Sequence, residues 1–171
     1  MFKFKNVRGG GNLLEKNTYN RMIDEIKFDS SVVIGDKEYK VLSKTFYSNL
    51  NNRQLKYVKF VLNNDKILVV NPERESIFLG EVVDDFYKDE YFPKSFEYEG
   101  KTFVEFEKDI QIVNKIEFGE PAECEGECVW VDYVCQEDKT ICIDMAYIYR
   151  DKKRADILAK WIDIKTIKVK N

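Results

Sequence analysis

Four cysteines fall within one short span, at Cys124, Cys128, Cys135 and Cys142. Four thiolates can close a tetrahedral zinc site, and such sites are built on knuckles in which two closely spaced ligands reach one ion at ~2.3 Å. Here the cysteines are separated by three, six and six residues, so no knuckle is present. The expectation is two small core hydrophobes and two loop residues, with zinc on all four as the alternative. A turn centred on Asp138 and Lys139 makes Cys135 and Cys142 cross-strand partners, with Cβ atoms ~4.5–5.5 Å apart, close to the separation a disulfide spans. A reducing compartment keeps such a pair as thiols.

Carboxylates and lysines offer the remaining chemistry. Glu117, Glu120, Glu123, Glu125 and Glu127 crowd around Gly119 and Gly126. Hard oxygens of this kind hold Ca²⁺ or Mg²⁺, but the spacing is not that of an EF-hand and a solvated acidic turn explains it. Asp84-Asp85 and Asp89-Glu90 place acids on adjacent faces of a candidate helix, and an acid–base pair would further need one carboxyl in an apolar pocket. Lys40, Lys59 and Lys101 stand beside aromatic residues, the pattern of a ligand groove and equally of a half-exposed strand. Gly9-Gly10-Gly11 lacks the preceding strand and following Lys-Ser/Thr of a phosphate loop.

The 171 residues include no histidine. That removes the commonest general base, the Ser-His-Asp and Cys-His nucleophile systems, and every His-containing metal site. Any reaction would have to use carboxylates, lysine, tyrosine or cysteine. The 28 basic and 31 acidic residues are interspersed, with net charge −3, which gives no basic field for nucleic acid. No stretch has the length of a transmembrane helix and the first residues lack the apolar run of a signal peptide. The expectation is a cytoplasmic protein with no membrane insertion.

The elements that must position these groups are strands. Twelve Phe, ten Tyr and two Trp, with many Val and Ile, favour β structure. One pattern occurs twice: Tyr57-Val58-Lys59-Phe60-Val61 followed by Asp65-Lys66, and Trp130-Val131-Asp132-Tyr133-Val134 followed by Asp138-Lys139. Each meets an apolar return run, which predicts two related hairpins. Further hairpins are predicted around Gly35 and Gly100, and a closing edge strand near residues 164–169 carries lysines that deter pairing with other chains. Tyr19, Met22, Ile23 and Ile26 have helical spacing and predict an amphipathic helix docked on a sheet. Val82, Val83, Phe86 and Tyr87 predict a second short helix over residues 81–90. Residues 157–162 fit either a short helix or a strand.

Gly35-x-x-x-Tyr39-x-Val41, the aromatic hairpin after it, Tyr98-Glu99-Gly100-Lys101-x-Phe103 and Asp132-Tyr133 together resemble an uncharacterised bacterial family, domain of unknown function 4178, over about residues 32–169. This sequence has Leu55 where the family often has Trp, and Asp144 where it often has Glu. The resemblance implies a β-rich cytosolic domain, sometimes associated with membrane-stress genes, and no known reaction.

The expected architecture is mainly β (α+β): a curved antiparallel sheet or partly open β-barrel with one or two short helices. A flexible N-terminus and helix occupy residues 1–31. A single domain follows over 32–171, with hairpin-based halves of about 32–92 and 93–171. The expected function is a non-catalytic bacterial or phage-encoded binding domain with a protein partner. Contact is made through an aromatic surface of Tyr57, Phe60, Trp130, Tyr133 and Tyr147, or through the cleft between the halves. No cofactor is expected. The alternatives are a carboxylate/Tyr enzyme and the zinc-stabilised module.

Overall fold

The computed structural model describes residues 13–83, 92–122, 128–148 and 153–171. Within them a helix, α1 (Leu13–Glu25), precedes eleven strands: β1 (Ser31–Ile34), β2 (Lys37–Asn49), β3 (Lys56–Leu62), β4 (Lys66–Asn71), β5 (Ser76–Val83), β6 (Ser95–Tyr98), β7 (Lys101–Phe118), β8 (Cys128–Cys135), β9 (Ile141–Ile148), β10 (Lys153–Trp161) and β11 (Ile167–Lys170). The turns follow from residue type. Gly35 (φ 60°), Asn64 and Asp65 (59° and 55°), and Glu99 and Gly100 (48° and 71°) take the left-handed region. This matches the right-handed twist of tight hairpins.

All neighbouring strands pair antiparallel, in the order β11-β1-β2-β3-β4-β5-β10-β9-β8-β7-β6. A further pairing of β2 with β7, from Lys44↔Phe118 to Asn49↔Gln111, closes eight of them into a barrel. The barrel is therefore closed rather than partly open. It consists of two four-stranded meanders, β2–β5 and β7–β10, joined at the β2–β7 and β5–β10 seams. The two sequence-repeated hairpins are β3–β4 and β8–β9, one in each meander, with β5 and β10 between them. Two long strands make closure possible. The 13-residue β2 serves β1 with its first part and β7 with its last, and the 18-residue β7 serves β6 and then β2 along one edge. Gly119 ends β7 at φ 69°, where a Cβ would run into the Leu42 carbonyl oxygen and Ser43 of β2.

The outer face of β2–β5 is apolar and covered. Tyr19, Met22, Ile23 and Ile26 of the helix segment pack on Val58, Phe60 and Leu62 of β3, Leu68 and Val70 of β4, and Ile77 of β5. Each such side chain contributes about 1.5–3 kcal/mol by leaving water. The Tyr19 hydroxyl donates to the Glu75 carbonyl at 2.8 Å and pins α1 to the β4–β5 turn. The helix's last carbonyls lack helical partners. Buried Lys44 supplies them, donating to Ile23 O at 2.7 Å and Ile26 O at 3.1 Å while pairing with Glu117 at 3.0 Å. On the opposite side, β6 folds Phe96 and Tyr98 over a second outer cluster containing Phe103, Val131, Tyr133, Ile143 and Met145.

The docked helix and the hairpins about Gly35 and Gly100 are as the sequence predicts, and β11 is an edge strand with exposed Lys168 and Lys170, though it begins only at Ile167, because residues 164–166 form a 3-10 turn capped by Asp163. The second helix is corrected at its start. Residues 81–83 continue β5 because Glu81, Val82 and Val83 pair with Leu158, Ile157 and Asp156. Residues 84–91 lie outside the described residues, as do the Gly9-Gly10-Gly11 tail and residues 123–127 of the acidic loop. Residues 157–161 are strand.

Candidate functional site in the barrel lumen

Alternation along each strand fixes which side chains face inward. With Val58, Phe60 and Leu62 under α1, the other face of β3 turns Tyr57, Lys59 and Val61 into the lumen. Their partners Tyr47, Thr45 and Ser43 on β2 follow them. On the far wall, the lumen rows run Ala159↔Cys142↔Val134 and Ile157↔Asp144↔Asp132↔Glu107 through β10, β9, β8 and β7. A bulge between Glu105 and Glu107 makes this last row possible. Glu105 pairs with Tyr133 on the outer face, exposed Phe106 absorbs the extra residue, and Glu107 then turns inward beside Asp132.

The result is a charged cluster spanning the barrel. Lys59 is only 2 % exposed and its Nζ lies 3.1 Å from Asp144 Oδ2, so an ion pair ties β3 of one meander to β9 of the other. The same ammonium sits 5.6 Å and 5.9 Å from the ring centres of Tyr47 and Tyr57, which stack on each other at 5.4 Å. Cation–π attraction therefore offsets part of its desolvation. The Tyr57 hydroxyl donates to Gln111 Oε1 at 2.8 Å. Arg74, from the β4–β5 turn, pairs with Glu107. Asp109 is held separately, accepting from the Asn51 backbone and side-chain N–H groups at 3.2 and 2.8 Å.

Asp132 is different. Among the described residues its carboxyl has no hydrogen-bond or ion-pair partner. Burial first, then the adjacent Asp144, pushes it well above the usual carboxylate range, opposed by Arg74 and Lys59. A protonated Asp132 leaves Lys59 with Asp144 and Arg74 with Glu107, so the cluster is neutral. Burial, with Asp132 and Asp144 nearby, likewise pushes the Cys142 thiol well up. Nearby polar atoms are unmet. Asn49 and Thr45 are fully buried and Trp130 is 6 % exposed, yet the Asn49 amide, the Thr45 hydroxyl and Trp130 Nε1 make no hydrogen bond among the described residues.

The residues singled out from sequence scatter across the barrel wall. Tyr57 and Trp130 face the lumen, Phe60 lies under α1, and Tyr133 lies in the second outer cluster with its hydroxyl donating to Pro93 O at 2.8 Å. All four are buried, and only Tyr147 is partly exposed, so they form no aromatic surface. The cysteines do not converge either. Cys124 lies outside the described residues. Cys128 and Cys142 face the lumen and Cys135 faces outward beside Phe103. Cys142 pairs with Val134 rather than Cys135, because the β8–β9 turn centres on Asp138 rather than between Asp138 and Lys139, which shifts the pairing by one residue. One ion cannot be reached from both faces of β8, and no group of three or more His, Cys, Asp or Glu among the described residues is placed to hold a metal. Sequence reasoning missed Asp132, Asp144, Glu107 and Arg74. The available signal was a charge at the centre of each repeated apolar run, Lys59 in one and Asp132 in the other.

A second feature lies outside the wall. A groove of about 270 Å³ at the β5–β10 seam has Leu79, Leu158, Ile141 and Phe103 on its floor, Tyr98 and Glu99 above, and Lys101 and Lys160 at its rim. No protein-family profile, curated protein or solved structure matches the chain.

Proposed function

We propose that this chain is a non-catalytic cytoplasmic binding domain whose ligand is a small polar molecule held in the lumen between the two meanders. The observation that carries the reading is the set of unmet buried polar atoms on Asn49, Thr45 and Trp130 beside the ion cluster. More than about 90 % of buried polar groups find partners, and each one left unmet costs about 1–3 kcal/mol. An eight-stranded barrel has room inside for its own side chains or for one small ligand. Binding is favoured over catalysis because the nucleophile candidates are engaged or quenched. Lys59 Nζ is held by Asp144, the Tyr57 hydroxyl donates to Gln111, and the Cys142 thiol is pushed away from the reactive thiolate.

Native mass spectrometry of the purified full chain, with solvent extraction of the same sample, tests this. The expected result is one small molecule per chain, lost in Thr45→Val/Asn49→Leu while that variant keeps its melting temperature. Absence of any bound molecule, together with a loss of stability in that variant, would show a purely structural interior. A protein partner is the second reading, favoured by the outer groove, whose apolar floor suits one large apolar side chain and whose rim sets Lys101 and Lys160 beside Glu99 and the Lys66–Glu81 pair. Charge reversal at Lys101 and Lys160 would then abolish partner capture without affecting lumen binding.

A further inference from the structure

We propose that the lumen takes up one small organic monocation, an amine or a guanidinium, which Asp132 binds as a carboxylate in exchange for its proton. The inference rests on the lumen being a binding site, and it assigns the class of guest.

Three observations carry it. The first is the charge count around Asp132. Asp144 and the Cys142 thiol face it from β9, Glu107 from β7, Lys59 from β3 and Arg74 from the β4–β5 turn. Three carboxyls against two cations leave one negative charge, and leaving it uncompensated carries a cost, reduced because Asp132 is half-buried rather than fully buried. A proton on Asp132 removes that charge in the empty barrel, and a bound monocation would remove it in the filled one. The second is the pairing pattern. Lys59 is on Asp144 and Arg74 is on Glu107, which leaves the Asp132 carboxyl as the member of this cluster with no partner among the described residues.

The third is independent of the acids. Asn49, fully buried, brings an amide with no hydrogen-bond partner among the described residues; its register with Gln111, and through it with Cys128, places it two inward positions along the wall from Asp132, so it faces the far end of a guest rather than the group on Asp132. Trp130, two residues before Asp132 on the same face of β8, brings an unmet N–H for an oxygen on the guest. The Tyr47–Tyr57 stack already receives the Lys59 ammonium, so this interior tolerates an ammonium against aromatic faces. A metal ion is the poorer guest, because no group of three or more candidate ligands among the described residues is placed to hold one. On binding, the carboxylic acid O–H breaks, its proton leaves to solvent, and the carboxylate accepts N–H bonds from the guest cation.

The test is isothermal titration calorimetry on the full chain with methylguanidinium, ethanolammonium and propylammonium, each beside an uncharged counterpart: methylurea, ethylene glycol and propanol. Titrations run at pH 5 and pH 7 in buffers of different ionisation enthalpy. The expected result is binding of at least one cation with about one proton released, affinity rising up to about tenfold per pH unit while Asp132 is protonated in the free chain. Asp132→Asn, which keeps the shape and neutrality of the protonated acid, should lose the proton release and weaken binding at least about tenfold. Failure of all three cations to bind at millimolar concentration overturns the inference, as does binding without proton release. Uncharged counterparts binding as tightly as the cations, with that binding lost in Asn49→Leu, would also overturn it while leaving the lumen a binding site. A chain that binds none of the six and carries no small molecule by native mass spectrometry fails on both counts.

Discussion

The two faces of β3 solve opposite problems with neighbouring residues. Val58, Phe60 and Leu62 leave the strand outward into a dry cluster sealed by α1, while Tyr57 and Lys59 leave it inward into a lumen crossed by ion pairs. In many small barrels the interior is the apolar core and the exterior is wet. Here the helix segment and β6 cover much of the outer wall, so large apolar clusters lie outside it, while the interior divides between a smaller apolar cluster of Ile67, Ile157 and Ala159 with Val69 and Phe78 and the ion pairs. The outer clusters hold the larger share of the apolar core, while the lumen adds to its own apolar cluster groups whose burial is expensive. Buried ion pairs are weak evidence for stability, since well-packed apolar replacements are often neutral or better. The contrast therefore separates what the sequence spends on folding from what it retains for another purpose.

The largest test removes the dry side. Phe60→Ala deletes a fully buried ring beneath α1, and a cost of about 3–5 kcal/mol is expected from lost transfer energy and the cavity left behind. Urea unfolding measures it, and a cost under about 1 kcal/mol would mean that α1 is not docked as described. The second test divides the wet side. Lys59→Met alone leaves Asp144 without its cation and is expected to cost about 3 kcal/mol, somewhat reduced because Asp144 is 19 % exposed. Lys59→Met combined with Asp144→Leu removes both charges and is expected to recover most of that loss. A double variant as unstable as the single one would show that the ion pair itself holds the barrel, and the contrast between the faces would collapse.

How much of this contrast was legible in the sequence differs between the faces. The outer face was legible because its signals are local. Tyr19, Met22, Ile23 and Ile26 lie within two turns of helix, and Gly35, Gly100, Asn64 and Asp65 mark their own turns. The lumen was not, because its contacts join distant strands. Lys59 meets Asp144 across the barrel, and the Glu107 row depends on a bulge at Phe106 that reverses the phase of β7. Phase errors of one residue swap faces, and Cys135 and Cys142, one residue out of register, lie on opposite faces of the wall. The aromatic residues of the repeated strands were legible as β structure but not as interior or exterior, since both faces of these strands are buried. Nor does a closed barrel announce itself in a periodicity of two. It requires β2 and β7 to be long enough to pair with each other after serving β1 and β6.

The smallest expected effect is also the most specific to the lumen. Asp132 has its folded pKa raised by burial and by Asp144, so the native chain holds its proton at pH values where the unfolded chain, titrating near 3.9, has released it. The unfolded state then binds fewer protons than the native state, and stability contributed at this position falls as pH rises from about 4 through the folded pKa. Asp132→Asn removes that titration. Its stability relative to the native chain should be level near pH 4 and should improve steadily as pH rises, with the melting-temperature difference between the two proteins tracing the titration. Phe60→Ala, on the outer face where its cross-strand neighbour Lys44 is paired with Glu117, removes no ionisable group and should show a deficit nearly independent of pH over the same range. Were the Asp132→Asn difference flat with pH, the carboxyl would have to be solvated or paired in the native chain, and the inward face of β8 would be no more demanding electrostatically than an ordinary protein surface.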